Sequence, residues 1–168
     1  MFSMVRASKF LVLIAGLLGL AGMFHPFIVG TTDDGYSADA SAWSLLGDVA
    51  QAQEDAAAQT DRFSTALAEA EAFGAYLWLP FLFPVFLAAL SLTFLGTWGV
   101  LRGRFGRLFG LLSLGPGLFV LGFALLLITS ASDGQASNST GLGAILLLGT
   151  GIGACVGGFV SLVKPDRP

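Results

Sequence analysis

The chain has one cysteine, Cys155, and one histidine, His25, and only 11% of its residues are Asp, Glu, Lys or Arg. Each shortage removes a class of protein. A single thiol excludes an intramolecular disulfide, and with it the paired-thiol chemistry of disulfide-exchange enzymes. A water-soluble domain normally carries about 25% charged residues. At less than half that share, a surface facing water would be undersupplied with charge. Hydrocarbon is therefore the expected surrounding for most of these 168 residues.

The residues that are present agree. Hydrophobic types make up 55% of the chain, and the mean hydropathy is +0.81. Four apolar runs, 10–29, 76–101, 108–129 and 143–163, contain no Asp, Glu, Lys or Arg. Each reaches about 20 residues, enough at a rise of about 1.5 Å per residue to span a hydrocarbon core of about 30 Å. The expected fold class is an all-α membrane protein, a single integral membrane domain with four transmembrane helices. A short helical extracytoplasmic segment, 30–74, separates the first two spans. A basic loop (102–107), a short outer loop (130–142) and a tail (164–168) complete the plan.

Charge placement orients this plan. Arg6, Lys9, Arg102, Arg104, Arg107, Lys164 and Arg167 fall on one side and Arg62 alone on the other. The positive-inside rule puts both termini and the "LRGRFGR" loop in the cytoplasm, with the plasma (inner) membrane as the location. The opposite face holds Asp33, Asp34, Asp39, Asp48, Glu54, Asp55, Asp61, Glu69, Glu71 and Asp133. An acidic outer face gives no purchase to nucleic acid, and none is expected as a partner. The competing reading of the N-terminus is a cleaved signal peptide, with small-residue sites at Gly19-Leu20-Ala21 or Ala38-Asp39-Ala40. Apolar character persists to Val29, longer than the usual signal core of about 7–15 residues, which favours a retained first helix.

The second run, "AFGAYLWLPFLFPVF", crowds Phe73, Tyr76, Trp78, Phe81, Phe83 and Phe86 toward its outer end, with Trp98 near its inner end. Such rings favour the headgroup level, where an apolar body and a polar N–H or O–H are both satisfied. Pro80 and Pro84, one turn apart, predict a kinked or unwound outer half, and Pro116 predicts the same in the third helix.

"GTGIGACVGG", residues 149–158, satisfies G-x-G-x-x-A, but a dinucleotide loop needs a preceding strand, a soluble helix after it and a distant acidic residue. Only ten residues follow the motif. Read as a helix, Gly149, Gly153, Gly157 and Ser161 recur every four residues, and Thr150, Ala154 and Gly158 form a row beside them. This is a small-xxx-small packing surface. Its counterpart is Ala15 and Gly19 (with Gly16 and Gly22) of the first helix, Gly106, Gly110, Ser113 and Gly117 of the third, or a homo-oligomer or membrane-protein partner.

In the outer segment "GTTDDGYSADAS" reads as loop. "SAWSLLGDVAQAQEDAAAQ" and "TDRFSTALAEAEAF" have helical spacing, the second running toward the second span, and Trp43 is a candidate membrane anchor. Asn138-Ser139-Thr140 matches a glycosylation acceptor, but a turn or a helix cap is the expected use so close to the bilayer. The three arginines of "LRGRFGR" set topology and are also suited to anionic lipid. "TTDDGYSAD" lacks the register of a calcium loop.

The plan of four spans with a large first and short second outer loop resembles the claudin group in topology alone. The paired loop cysteines of that family are absent, and Trp43 in "AWSLLG" does not carry the comparison, so no membership follows.

His25 is the speculative functional residue, being ionisable near the end of a span. No second His, Asp, Glu or Cys lies within the spans to complete a metal or acid–base site with it, and no cofactor or metal is expected. An intramembrane enzyme would need His25 with a serine such as Ser113, a pairing that nothing in the spacing supports. The expected function is non-catalytic: a structural, accessory or assembly subunit, surrounded by membrane lipids and acting through helix contacts and its acidic outer segment. The alternative is a subunit of an oligomeric channel or transporter, relying on backbone or on hydroxyls such as Ser91, Thr93 and Thr97.

Overall fold

The computed structural model describes residues 4–31, 37–44, 47, 62–103, 105–133 and 138–164. Four helices carry most of them: α1 (Met4–Met23), α2 (Arg62–Arg102), α3 (Arg107–Asp133) and α4 (Leu142–Val163). Three stretches are long and apolar enough to cross a membrane: Pro80–Arg102, Arg107–Thr129 and Leu142–Val163. The apolar stretch of α1, Ala7–Met23, is shorter, at 17 residues. At 1.5 Å per residue it reaches about 26 Å, near the lower limit for a span. The chain is a predominantly helical membrane protein.

α1 stops six residues before the end of the first apolar run, and the reason is local. Pro26 has no amide hydrogen, and its ring disfavours helical geometry at His25. The last turn closes through Phe24 N–H to the Ala21 carbonyl (3.1 Å) and His25 N–H to the Gly22 carbonyl (3.2 Å). The His25 Nδ1–H adds a bond to the Ala21 carbonyl, 2.9 Å. Proline has a different outcome in α2 and α3, which continue as helix through Pro80, Pro84 and Pro116 without unwinding.

Beyond α1 three short strands interrupt the otherwise helical fold. Ile28–Thr31 (β1) pairs antiparallel with Ser37–Ala40 (β2), Val29 facing Asp39, and on its other edge with Asn138–Thr140 (β3), Val29 facing Ser139. The order is β2-β1-β3. Thus part of the expected loop "GTTDDGYSADAS" is strand, and Asn138-Ser139-Thr140 is a strand and not a turn or helix cap. The Ser139 hydroxyl donates to the Val29 carbonyl at 3.2 Å. β1 leaves α1 directly and β3 leads directly into α4, so the sheet ties these two helices together at what we call the sheet end. The opposite end, with Lys9, Arg102, Arg107 and Lys164, is the basic end.

The chain leaving α1 also supplies acceptors to the start of α4. Gly141 and Gly143 donate their amides to the Phe27 and Pro26 carbonyls, both at 2.8 Å. The first amides of a helix have no partner within it, and Gly141, the N-cap, makes no side-chain cap bond. A Cβ on Gly143 would stand 2.5 Å from the His25 carbonyl oxygen, so the absence of one permits the docking.

The interior is filled by two apolar clusters. Toward the sheet end Val85, Val120, Ala124, Ala144 and Leu147 are fully buried; toward the basic end Val12, Leu92, Phe105 and Ala154 are. Ile14, Leu111, Leu118, Ile152 and Phe159 point outward, as lipid permits.

Of the expected helix over 41–59, residues 42–44 and 47 are described, and they are helical. Ser41 and Ser44 cap it reciprocally: the Ser44 amide donates to Ser41 Oγ (3.1 Å) and the Ser41 amide to Ser44 Oγ (2.8 Å). The rest of that expectation, and Asp33 and Asp34 of the acidic loop, lie outside the described residues.

Candidate functional site

At the sheet end, α1, the capped turn after β2 and α2 enclose a groove of about 380 Å³ lined almost wholly by apolar surface. Met23 and Phe24 come from the last turn of α1, Ala42 and Trp43 from the turn that Ser41 caps, and Leu82, Phe83 and Phe86 from α2. Met23, Ala42 and Leu82 are buried and form its floor. Phe24, Trp43 and Phe83 are more than 60% exposed and form its rim. The Phe24 and Trp43 rings stand 6.5 Å apart between centroids, tilted by 36°, within the range where aromatic pairs attract. A lining of this kind holds an aliphatic or aromatic group by burial and dispersion, with little to offer a polar one.

The small-residue rows of α4 meet both α1 and α3, and a Cβ on Gly19 of α1 would stand 2.9 Å from the Thr150 methyl. On the α1 side, a Cβ on Gly157 would lie 2.9 Å from Val12 and 3.0 Å from the Ser8 carbonyl oxygen, and one on Gly153 would lie 3.2 Å from the Ala15 Cβ. Facing α3, a Cβ on Gly158 would lie 2.7 Å from Ser113 Oγ, and one on Gly117 would lie 2.8 Å from the Ala154 Cβ. Ser161 is buried, its hydroxyl 3.1 Å from both the Phe105 and Gly106 carbonyls. Gly149 departs from this pattern, because it is exposed and a Cβ there would meet nothing within 4 Å. Four-residue steps advance about 400° around a helix with 3.6 residues per turn, so the row drifts by about 40° per step. Gly149 has drifted off the packed face by the time Ser161 reaches α3.

The remaining candidates are separated. His25 is exposed at the sheet end, bonded to its own helix, and Ser113 is buried toward the basic end, donating to the Gly110 carbonyl at 2.9 Å. They form no pair. Ser91, Thr93 and Thr97 donate to the Ala88, Ala89 and Thr93 carbonyls of α2. Cys155 is half-buried and unbonded to any other cysteine. Among the described residues, no three His, Cys, Asp or Glu side chains come together as a metal site.

Two features went unread in the sequence. Phe105, inside the basic loop, is fully buried, and its ring fills the space beside Gly99. Gly103 makes this possible with φ +67°, a conformation that glycine adopts without a Cβ penalty. The signal was an aromatic residue, between Arg104 and Gly106, in an otherwise charged loop. The other is the Met23–Phe24 half of the groove, which looked like any lipid-facing end of a span.

No protein-family model matches the chain, and neither a curated protein nor a solved structure was found to match it.

Proposed function

We propose that the protein is a non-catalytic, four-span subunit of the plasma (inner) membrane, with structural, accessory or assembly duties. In this reading α1 is a retained span, both termini and the basic end face the cytoplasm, and the sheet end with its acidic segment faces out. The observation that carries it is the division of surfaces. The interior is packed with Val12, Val85, Leu92, Val120 and Leu147, all fully buried, and the close-approach glycines other than Gly149 on the α4 stripe are covered from within the chain. A rigid body of this kind has little to open, and it presents contact surface at the aromatic groove around Phe24, Trp43 and Phe83 and along the outward row Ile145, Gly149, Ile152, Val156 and Phe159. The groove suits an apolar side chain from a neighbouring membrane helix.

A photo-crosslinking residue at Trp43, used in native membranes, tests this reading. It predicts a protein adduct of discrete mass that is lost when Phe24 is changed to Ser. Adducts with lipid alone at Trp43, or solute flux through the purified protein in liposomes, would contradict it, and flux would favour the channel or transporter subunit.

A further inference from the structure

Lys9 is 8% exposed, at the basic end of α1. Its stem lies against α2, where a Cβ on Gly99 would stand 3.4 Å from the Lys9 Cβ, beside the buried Phe105 ring. Its ammonium is 6.0 Å from the centroid of the Phe10 ring, at the outer limit of a cation–π contact. Among the described residues Lys9 has no hydrogen-bond or ion-pair partner. One turn beyond Gly99, Arg102 lies 4.5 Å from the Trp98 ring and likewise has no acceptor among the described residues. The described carboxylate residues, Asp39, Glu69, Glu71 and Asp133, belong to the sheet or to the portions of α2 and α3 toward it. Burying a charge without a counter-charge is strongly unfavourable, so Lys9 calls for an anion from outside the described residues.

We propose that Lys9 and Arg102 bind a phosphate group, supplied by the headgroup of an anionic phospholipid at the basic end. Arg102 offers several N–H donors in a fixed fork and Lys9 a compact charge, a combination suited to phosphate oxygens. Phospholipid is favoured over free phosphate as the source because both residues adjoin lipid-facing side chains, Phe10 at 48% exposure and Leu101 at 77%. The inference rests on the chain being embedded in a bilayer, which membrane fractionation tests separately.

The test is binding of phosphatidylglycerol and of phosphatidylcholine to the purified full chain in detergent, read by native mass spectrometry and thermal shift, with a parallel arm in millimolar inorganic phosphate. The wild type is expected to prefer phosphatidylglycerol, and Lys9→Gln to lose about fivefold in affinity for it, as one charge at a membrane surface implies, with phosphatidylcholine unaffected. Arg102→Gln, at an exposed position, is expected to lose a similar factor and decides the matter if Lys9→Gln does not fold. A thermal shift with inorganic phosphate equal to that with phosphatidylglycerol would retain the phosphate site and overturn the lipid source. Equal binding of the two lipids by the wild type would overturn the proposal. So would an unchanged preference in the folded variants.

Discussion

Gly16 of α1 packs directly on Thr93 of α2: a Cβ on Gly16 would stand 2.5 Å from the Thr93 hydroxyl oxygen and 2.7 Å from its Cα. Three residues along, the relationship is reversed, and a Cβ on Gly96 of α2 would stand 2.5 Å from the Leu13 Cα of α1. Backbones this close gain dispersion contacts that larger residues would prevent, which is how helices associate where no water drives them together. Gly16→Ala is expected to destabilise the protein by about 1–3 kcal/mol, the usual cost of overpacking. Thermal unfolding in detergent measures it, with Gly122→Ala, where a Cβ meets nothing within 4 Å, as the neutral reference.

Substitution to alanine along α4 should give a graded series. Gly149→Ala has open space and should leave the melting temperature unchanged. Gly153→Ala meets only a methyl at 3.2 Å, so its effect should be small. Gly158→Ala meets the Ser113 hydroxyl at 2.7 Å and the Gly110 carbonyl oxygen at 2.8 Å and should be the most damaging of these three. A uniform response across the three would contradict this order.

The contacts of α4 also show what the sequence disclosed and what it withheld. Composition and run length were enough for the helices, because hydrocarbon demands apolar side chains and internally satisfied backbone over a fixed length. Small residues at spacing four marked α4 as a packing helix, but which row meets which neighbour depends on the drift of the helical repeat and on where α1 and α3 stand. The strands were hidden for a different reason. β1 and β3 are four and three residues long and are separated by about 110 positions, so no local period announces their pairing. The one local clue was Asp34-Gly35 after the β-branched Ile28-Val29, a hairpin signal read as loop composition. The groove depends on the same folding-back that brings Trp43 beside Phe24.

The hydroxyl of Ser161 tethers the basic loop to α4 through the Phe105 and Gly106 carbonyls. Ser161→Ala should cost about 0.5–1.5 kcal/mol, the net worth of one such bond, and should increase protease cleavage at Arg104 or Arg107. Unchanged stability and cleavage would remove the tether from the account.

The register of the sheet can be trapped covalently. With Cys155 changed to Ala, cysteines replacing Gly30 and Asn138, which are paired across β1 and β3, should form a disulfide under mild oxidation. Cysteines replacing Gly30 and Thr140, two residues out of register, should do so far more slowly. Equal rates would show that the strands are not held in this pairing.

The account depends on four crossings, with α1 retained as the first. Reporter fusions at the N-terminus, at the C-terminus and within residues 48–61 measure it most directly. The account predicts both ends in the cytoplasm and the 48–61 insertion outside. Termini on opposite sides, or a mature chain beginning after α1, would contradict it.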